Sequence, residues 1–249
     1  MALLVRCLAA TYYDGHHIEP HAHPWGQLIY AASGVMRVSA QGRLWIVPPS
    51  RAVWAPAGVR HEIWARGDFA MRSVYLAPEI AAGMAGDCRA VDVPPLLREL
   101  ILHAVSIQLL DGEKPAHRAL IEVLTERITA AETLPLMLPL PRDRRAVAAA
   151  ERLRADPSAT AELKDIAQAA GAGVRTLQRL FLEETGLRFS DWRRRLRLLH
   201  ALAQLGGGAS VTTAGLEAGY ASTSAFVAAF RREFGHTPTA YRLRGGRQH

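Results

Sequence analysis

Four side chains near the start of the chain have the types and the spacing to do chemistry. They are His21, His23 and Gln27, within His21-Ala-His23-Pro-Trp-Gly-Gln27, and His61, which closes Pro56-Ala-Gly58-Val-Arg-His61. In an extended strand positions 21, 23 and 27 share parity, so both imidazoles and the amide are expected to face one interior. The Pro-x-Gly turn is expected to bring His61 in from another strand. Three imidazoles and one amide oxygen suit a divalent transition metal. The same groups, with Trp25, also suit an organic effector held by hydrogen bonds, and the plainest reading is histidines with a structural role only. Trp25, Tyr30, Trp45, Trp54, Trp64 and Tyr75 are expected to supply apolar walls, while His16 and His17 fall outside the pattern.

A second set of polar residues recurs at helical spacing in the C-terminal part. Leu163, Ile166, Ala167 and Ala170 form one face of a short helix, Gly171 supplies a turn, and Leu177, Leu180 and Phe181 form the apolar face of a second helix. Arg175, Thr176, Gln178 and Arg179 then point outward, groups that read base edges and grip phosphates. The pattern returns with Val211, Ala214, Leu216 and Ala218, a turn at Gly219-Tyr-Ala, and an N-cap at Ser222. Phe226, Val227 and Phe230 point inward there, leaving Thr223, Ser224, Ala228, Arg231 and Arg232 available. Between the repeats, Phe189–Leu205 reads as a basic amphipathic helix in which Arg193–Arg195 form either a solvated face or a phosphate grip. Trp192 is expected in the core.

The elements that must position these residues follow from pattern and charge. Net charge is +7 over 249 residues, but residues 1–90 contribute +2, residues 91–140 −3 and residues 141–249 +8. The basic excess therefore belongs to the last part of the chain and points to a polyanionic partner. Short apolar runs punctuated by Gly and Pro make residues 1–90 an all-β domain, a sandwich or barrel. Helical periodicity over Pro94–Leu110 and Ala116–Ala131 predicts a hairpin within residues 91–132, joined through Asp111-Gly-Glu-Lys-Pro, whose apolar stripes suit homodimerisation. The proline-punctuated residues 133–142 read as a linker and residues 143–244 as an all-α domain. Cys7 and Cys88 are too few for a disulfide framework or a cysteine-built zinc site. The opening Met-Ala-Leu-Leu-Val-Arg lacks a signal-peptide layout, and no apolar run reaches membrane-spanning length, so a cytoplasmic protein with no membrane partner is expected.

Two stretches carry a family likeness. Val174-Arg-Thr-Leu-Gln-Arg-Leu-Phe and the run from Gly219-Tyr-Ala-Ser-Thr-Ser-Ala-Phe to Thr-Ala-Tyr-Arg242 closely resemble the two helix–turn–helix signatures of AraC/XylS-family transcription regulators. The resemblance implies recognition helices entering successive major grooves about 34–36 Å apart. Gly173 stands where that family usually has a serine cap, and Gly206-Gly-Gly with Gly215 is expected to loosen the second unit. His-x-His-x3-Gln followed by Pro-x-Gly-x-x-His resembles the cupin motifs, with Gln27 replacing the usual glutamate and removing a charge. The residues from Pro20 to Pro78, including His-Pro-Trp-Gly-Gln-Leu and Val-Pro-Pro-x-Arg-Ala-Val-Trp, resemble AraC-type regulators with a cupin sensor.

The implied fold is α+β multidomain: a cupin-like β-barrel, a helical hairpin and a tandem helix–turn–helix domain. The implied function is a one-component, effector-responsive, non-enzymatic DNA-binding regulator. Its partners would be a double-stranded DNA operator, a small-molecule or metal effector and, for an activator, RNA polymerase. Analogy adds control of a neighbouring transporter or efflux gene. The rival is a cupin oxygenase or isomerase holding iron or manganese on His21, His23 and His61, although no carboxylate is placed as a general base. A self-methylating repair regulator would need more cysteines than Cys7 and Cys88.

Overall fold

The computed structural model describes residues 3–84 and 86–245. Met1 and Ala2 of the N-terminal run lie outside them, and from Leu3 that run is a β-strand. The chain divides into two compact units, one comprising residues up to Gln41 with Trp45–Leu136, the other Gly42–Leu44 with Met137 onward.

The strands are β1 (Leu3–Tyr12), β2 (His17–His21), β3 (Gly26–Ala40), β4 (Arg43–Val47), β5 (Arg51–Ala55), β6 (His61–Leu76), β7 (Arg89–Asp92), β8 (Leu109–Asp111), β9 (Thr133–Leu134) and β10 (Met137–Pro139). In the first unit they run β8-β1-β6-β3-β5-β7-β9, with β2 on β6. The pairings β1–β6, β3–β6, β3–β5 and β5–β7 are all antiparallel. β6 is long enough to serve two neighbours in turn: its first half pairs with β2 and its second half with β1. β3 shifts register around Ser33, where Gly34 adopts φ +71° and an added Cβ would lie 2.2 Å from the Asp68 carbonyl oxygen. Only glycine fits that bulge, which bends the sheet.

Three helices complete the unit: α1 (Pro78–Ala81), α2 (Pro95–Ile107) and α3 (Pro115–Ala130). The expected hairpin is thus interrupted. Gln108 takes φ +69°, α2 stops, and Leu109–Asp111 becomes β8 against β1. Leu97, Ile101 and Ala104 of α2 join Ile121, Leu124 and Ile128 of α3 in a core with Leu28, Tyr30, Trp54, Val74 and Leu76. Their apolar stripes therefore cover one face of the sheet, leaving Leu96 and Val123 among the exposed apolar side chains. Residues 133–142 are extended, as the prolines require, and β9 pairs with β7.

The second unit is helical: α4 (Arg144–Ala155), α5 (Leu163–Ala169), α6 (Val174–Thr185), α7 (Phe189–Gly206), α8 (Val211–Glu217), α9 (Thr223–Phe234) and α10 (Pro238–Gly245). Leu177, Phe181, Trp192, Phe226 and Phe230 are fully buried. Trp192 stacks edge-on against Phe181, and its indole N–H donates to the Pro139 carbonyl at 2.7 Å. Gly171 (φ +67°) and Gly219 (φ +77°) make the two turns. Two expectations fail here. Gly215 does not loosen the second repeat: a Cβ there would meet the Phe226 ring at 2.9 Å, so the glycine lets α8 and α9 pack closely. Leu216 points outward and is 59% exposed, one position off the helix's buried face of Ala214 and Gly215.

Candidate effector site and DNA interface

His21, His23, Gln27 and His61 do converge, though not by sharing a strand. β2 ends at His21 and β3 begins at Gly26, so His23 and Trp25 lie on the bend between them. The Pro56-Ala-Gly58 turn docks on that bend, with the Gly58 N–H donating to the His23 carbonyl at 2.9 Å. His21 and His61 are facing partners across β2 and β6. Gln27 faces Tyr75 on β6 and Ala55 on β5. One ring nitrogen from each of the three histidines lies within 4.8 Å of the others.

Each imidazole is tethered by its Nδ1 to a backbone carbonyl two residues away. His21 reaches Glu19 at 2.8 Å, His23 reaches Trp25 at 2.8 Å, and His61 reaches Val59 at 2.9 Å. A carbonyl only accepts, so every Nδ1 carries the proton and every neutral ring presents Nε2 as a lone pair. Gln27, 1% exposed, places its Oε1 3.0 Å from His23 Nε2 and 2.9 Å from His61 Nε2. Its amide nitrogen donates to Ser73 Oγ at 2.9 Å and Tyr75 Oη at 3.1 Å. Burial of His61 (1% exposed) pushes its pKa from 6.5 down to about 4, with His21 and His23 adding repulsion, and so keeps the ring neutral. Burial likewise raises the Tyr75 phenol.

These donors fit a divalent cation. Fixed Nδ1–H groups with outward Nε2 lone pairs are how protein histidines are oriented for metals. Separations of 2.9 and 3.0 Å match two ligands at right angles about 2.1 Å from a shared centre.

The expected walls divide differently. Tyr30 and Trp54 lie on the opposite face of their strands from Gln27 and are buried beneath α2 and α3. Trp64 stacks on His17 at 4.7 Å, so the unassigned histidine explains that tryptophan. Trp25 and Tyr75 stay near the site, and both rings contact the Arg6 guanidinium. Ser73, which sequence reasoning missed, enters only because β6 pairs with β3 in this register.

In the second unit Arg175, Gln178 and Arg179 are exposed on α6 and Thr176 is half-buried. Gly173 begins α6 without a side-chain cap. On α9, Ser222 Oγ accepts from the Ala225 N–H at 3.2 Å, and Thr223, Ser224, Arg231 and Arg232 are exposed. Gln178, Arg179 and Arg232 line a cleft of about 1170 Å³ together with Arg194, Tyr220 and Arg188, the last of which carries no signal in the sequence. Arg231 belongs with Thr223 and Ser224 on a second, shallower surface.

Three arginines of α7 are engaged within the domain. Arg193 donates to the carbonyls of Ala159 and Ala161, and Arg197 to those of Pro157 and Ala159. Arg195 pairs with Glu233 of α9 at 3.1 Å. These three side chains tie α7 to both repeats.

Residues 3–138 match a family model described as an AraC-like ligand binding domain, and residues 166–244 one described as a helix-turn-helix domain. The HTH-type transcriptional regulator NimR of Escherichia coli is 33% identical over 221 residues, covering 89% of this chain and 81% of that protein. The HTH-type transcriptional regulator RipA of Corynebacterium glutamicum is 39% identical over 103 residues, covering 41% of this chain and 31% of that protein. Among solved structures, fatty-acid-bound ToxT of Vibrio cholerae aligns with 97% of this chain and 95% of that chain at 12% identity, with a TM-score of 0.41.

Proposed function

The chain belongs to the AraC-type transcription regulators, with a ligand-binding domain and a helix-turn-helix DNA-binding domain, and from that premise we propose which residues serve each. The effector site is His21, His23, Gln27 and His61, with Trp25 at its edge, and the class of effector it suits best is a divalent transition-metal cation. The observation that carries this is the convergence of lone pairs: three Nδ1-tethered imidazoles and an amide oxygen, with His61 held neutral. A bound cation would supply the positive charge that these acceptors lack. Stabilisation by small organic molecules but by no metal, in a thermal-shift series, would favour the hydrogen-bonded effector instead. No carboxylate belongs to the cluster, which supports a sensor over a catalyst.

The recognition helices are α6 and α9. Arg175, Thr176, Gln178 and Arg179 would read one major groove and Ser222, Thr223, Ser224, Arg231 and Arg232 the next. Arg179 holds Glu183 at 2.6 Å across one turn, an exposed pair easily surrendered to DNA. Arg179→Ala and Arg232→Ala are each expected to weaken binding to duplexes selected by the wild-type protein by about 1–3 kcal/mol, roughly 5- to 150-fold, if the side chain pairs with guanine. A phosphate contact would give a uniform loss across sequences and a shallower salt slope. Unchanged affinity in both variants would remove α6 and α9 from the recognition role.

A homodimer is the expected assembly, supported by Leu96 (57% exposed) and Val123 (45% exposed) on the outer sides of α2 and α3. Sedimentation at micromolar concentration should show a dimer that Leu96→Glu dissociates, and a monomer with and without DNA would refute it. RNA polymerase contact and control of a neighbouring transporter gene fit a one-component regulator located in the cytoplasm.

A further inference from the structure

Gln27 sits between two unlike pairs of neighbours. On one side are the Nε2 lone pairs of His23 and His61, which accept, because both Nδ1 protons are committed to backbone carbonyls. On the other side are the hydroxyls of Ser73 and Tyr75, which both donate and accept. With Oε1 toward the imidazoles, acceptor faces acceptor at 2.9 and 3.0 Å, an arrangement that a cation among them satisfies. A half-turn of the carboxamide exchanges oxygen and nitrogen within the same space. The amide would then donate one hydrogen to each imidazole, and its oxygen would accept from both hydroxyls. The polar groups around the amide are thus satisfied with NH2 toward the imidazoles when the site is empty, and with Oε1 toward them only when a cation lies among them.

We infer that Gln27 is a two-position element, with its oxygen toward His23 and His61 when a divalent cation is held and its NH2 toward them when none is. The inference rests on the cation reading given above. It assigns a task to glutamine that glutamate could not perform, since a carboxylate has no hydrogen to give the empty site. It also provides an outward signal. Turning the amide reverses the proton on the Tyr75 hydroxyl, and the Tyr75 ring lies 5.1 Å from the Arg6 guanidinium of the facing strand β1.

The test uses the full-length chain labelled with nitrogen-15, in EDTA and then with Zn2+. In EDTA, a nitrogen–nitrogen coupling across a hydrogen bond should link the Gln27 side-chain amide to the His23 and His61 rings; Zn2+ should abolish it. Gln27→Glu in EDTA should melt about 5 °C lower than wild type, because acceptors would face each other unrelieved, and Zn2+ should reverse the deficit. Absence of the coupling in EDTA, or a variant as stable as wild type there, overturns the inference even if Zn2+ binds. Binding of Zn2+ by neither protein fails the cation reading itself, and the two-position assignment with it. The wild-type coupling decides the matter should Gln27→Glu not fold.

Discussion

Replacing Arg51 by methionine is expected to lower the unfolding free energy of the first unit by about 3 kcal/mol, the lower end for breaking a buried ion pair. The Arg51 side chain is 6% exposed and its Nη1 lies 2.6 Å from Asp92 Oδ1, at facing positions of β5 and β7. Nη1 also donates to the Ser50 carbonyl at 2.8 Å. Methionine fills most of the volume but leaves Asp92 without its cation in a site where water reaches it only in part. The Asp92 side chain keeps 27% of its surface, which argues for the low end of the range. Urea unfolding gives the measurement, and the double variant Arg51→Met with Asp92→Leu separates charge from packing. It should recover most of the loss, because an apolar pair of similar volume often matches a buried salt bridge. A double variant as unstable as the single one would mean that packing, not the stranded carboxylate, sets the cost.

The role of Arg51 is a fair measure of what the sequence discloses. A charge inside Arg51-Ala-Val-Trp-Ala is visible at once, whereas its partner is fixed only by the register of β5 on β7. The helix–turn–helix repeats were readable because their logic is local. Core positions recur every three or four residues, and the glycine turns and caps lie next to the helices they end. Even there Leu216 and Gly215 were misjudged, since whether a small residue loosens a helix or admits a neighbour depends on Phe226 of another helix.

In the sensor half the identities of His21, His23, Gln27 and His61 were legible, but the reason for their meeting was not. Strand parity was invoked where a bend and a docked turn do the positioning. Parity did hold an unused signal: Tyr30 is an odd number of residues from Gln27 on the same strand, which puts it on the other face. Ser73 has no such local signature, since only the β3–β6 register brings it to the amide. Charge misleads in a similar way. Of the arginines behind the C-terminal excess, Arg193, Arg195 and Arg197 are engaged inside the domain.

Acidification offers the second large effect, and its sign follows from His61. In the unfolded chain this imidazole titrates near 6.5, whereas in the fold burial lowers it to about 4. As pH falls below about 6.5 the unfolded state takes up the proton first, so the equilibrium moves toward unfolding. The contribution is complete above the unfolded value, is lost progressively down to the folded one, and changes no further below that. A gap of that size corresponds to about 3 kcal/mol. Urea unfolding in EDTA at intervals from pH 7.5 to 4.5 should therefore show falling stability, and His61→Gln should flatten the profile. Asp143, held down to about 2 by its hydrogen bond to Arg145, weakens the cap of α4 only in more acid solution. A variant profile as steep as wild type would show that some other group carries the acid response, and that burial does not hold His61 neutral. A neutral His61 is what the proposed cation site requires: a protonated Nε2 would meet Gln27 Oε1 as a donor and close the site to any cation.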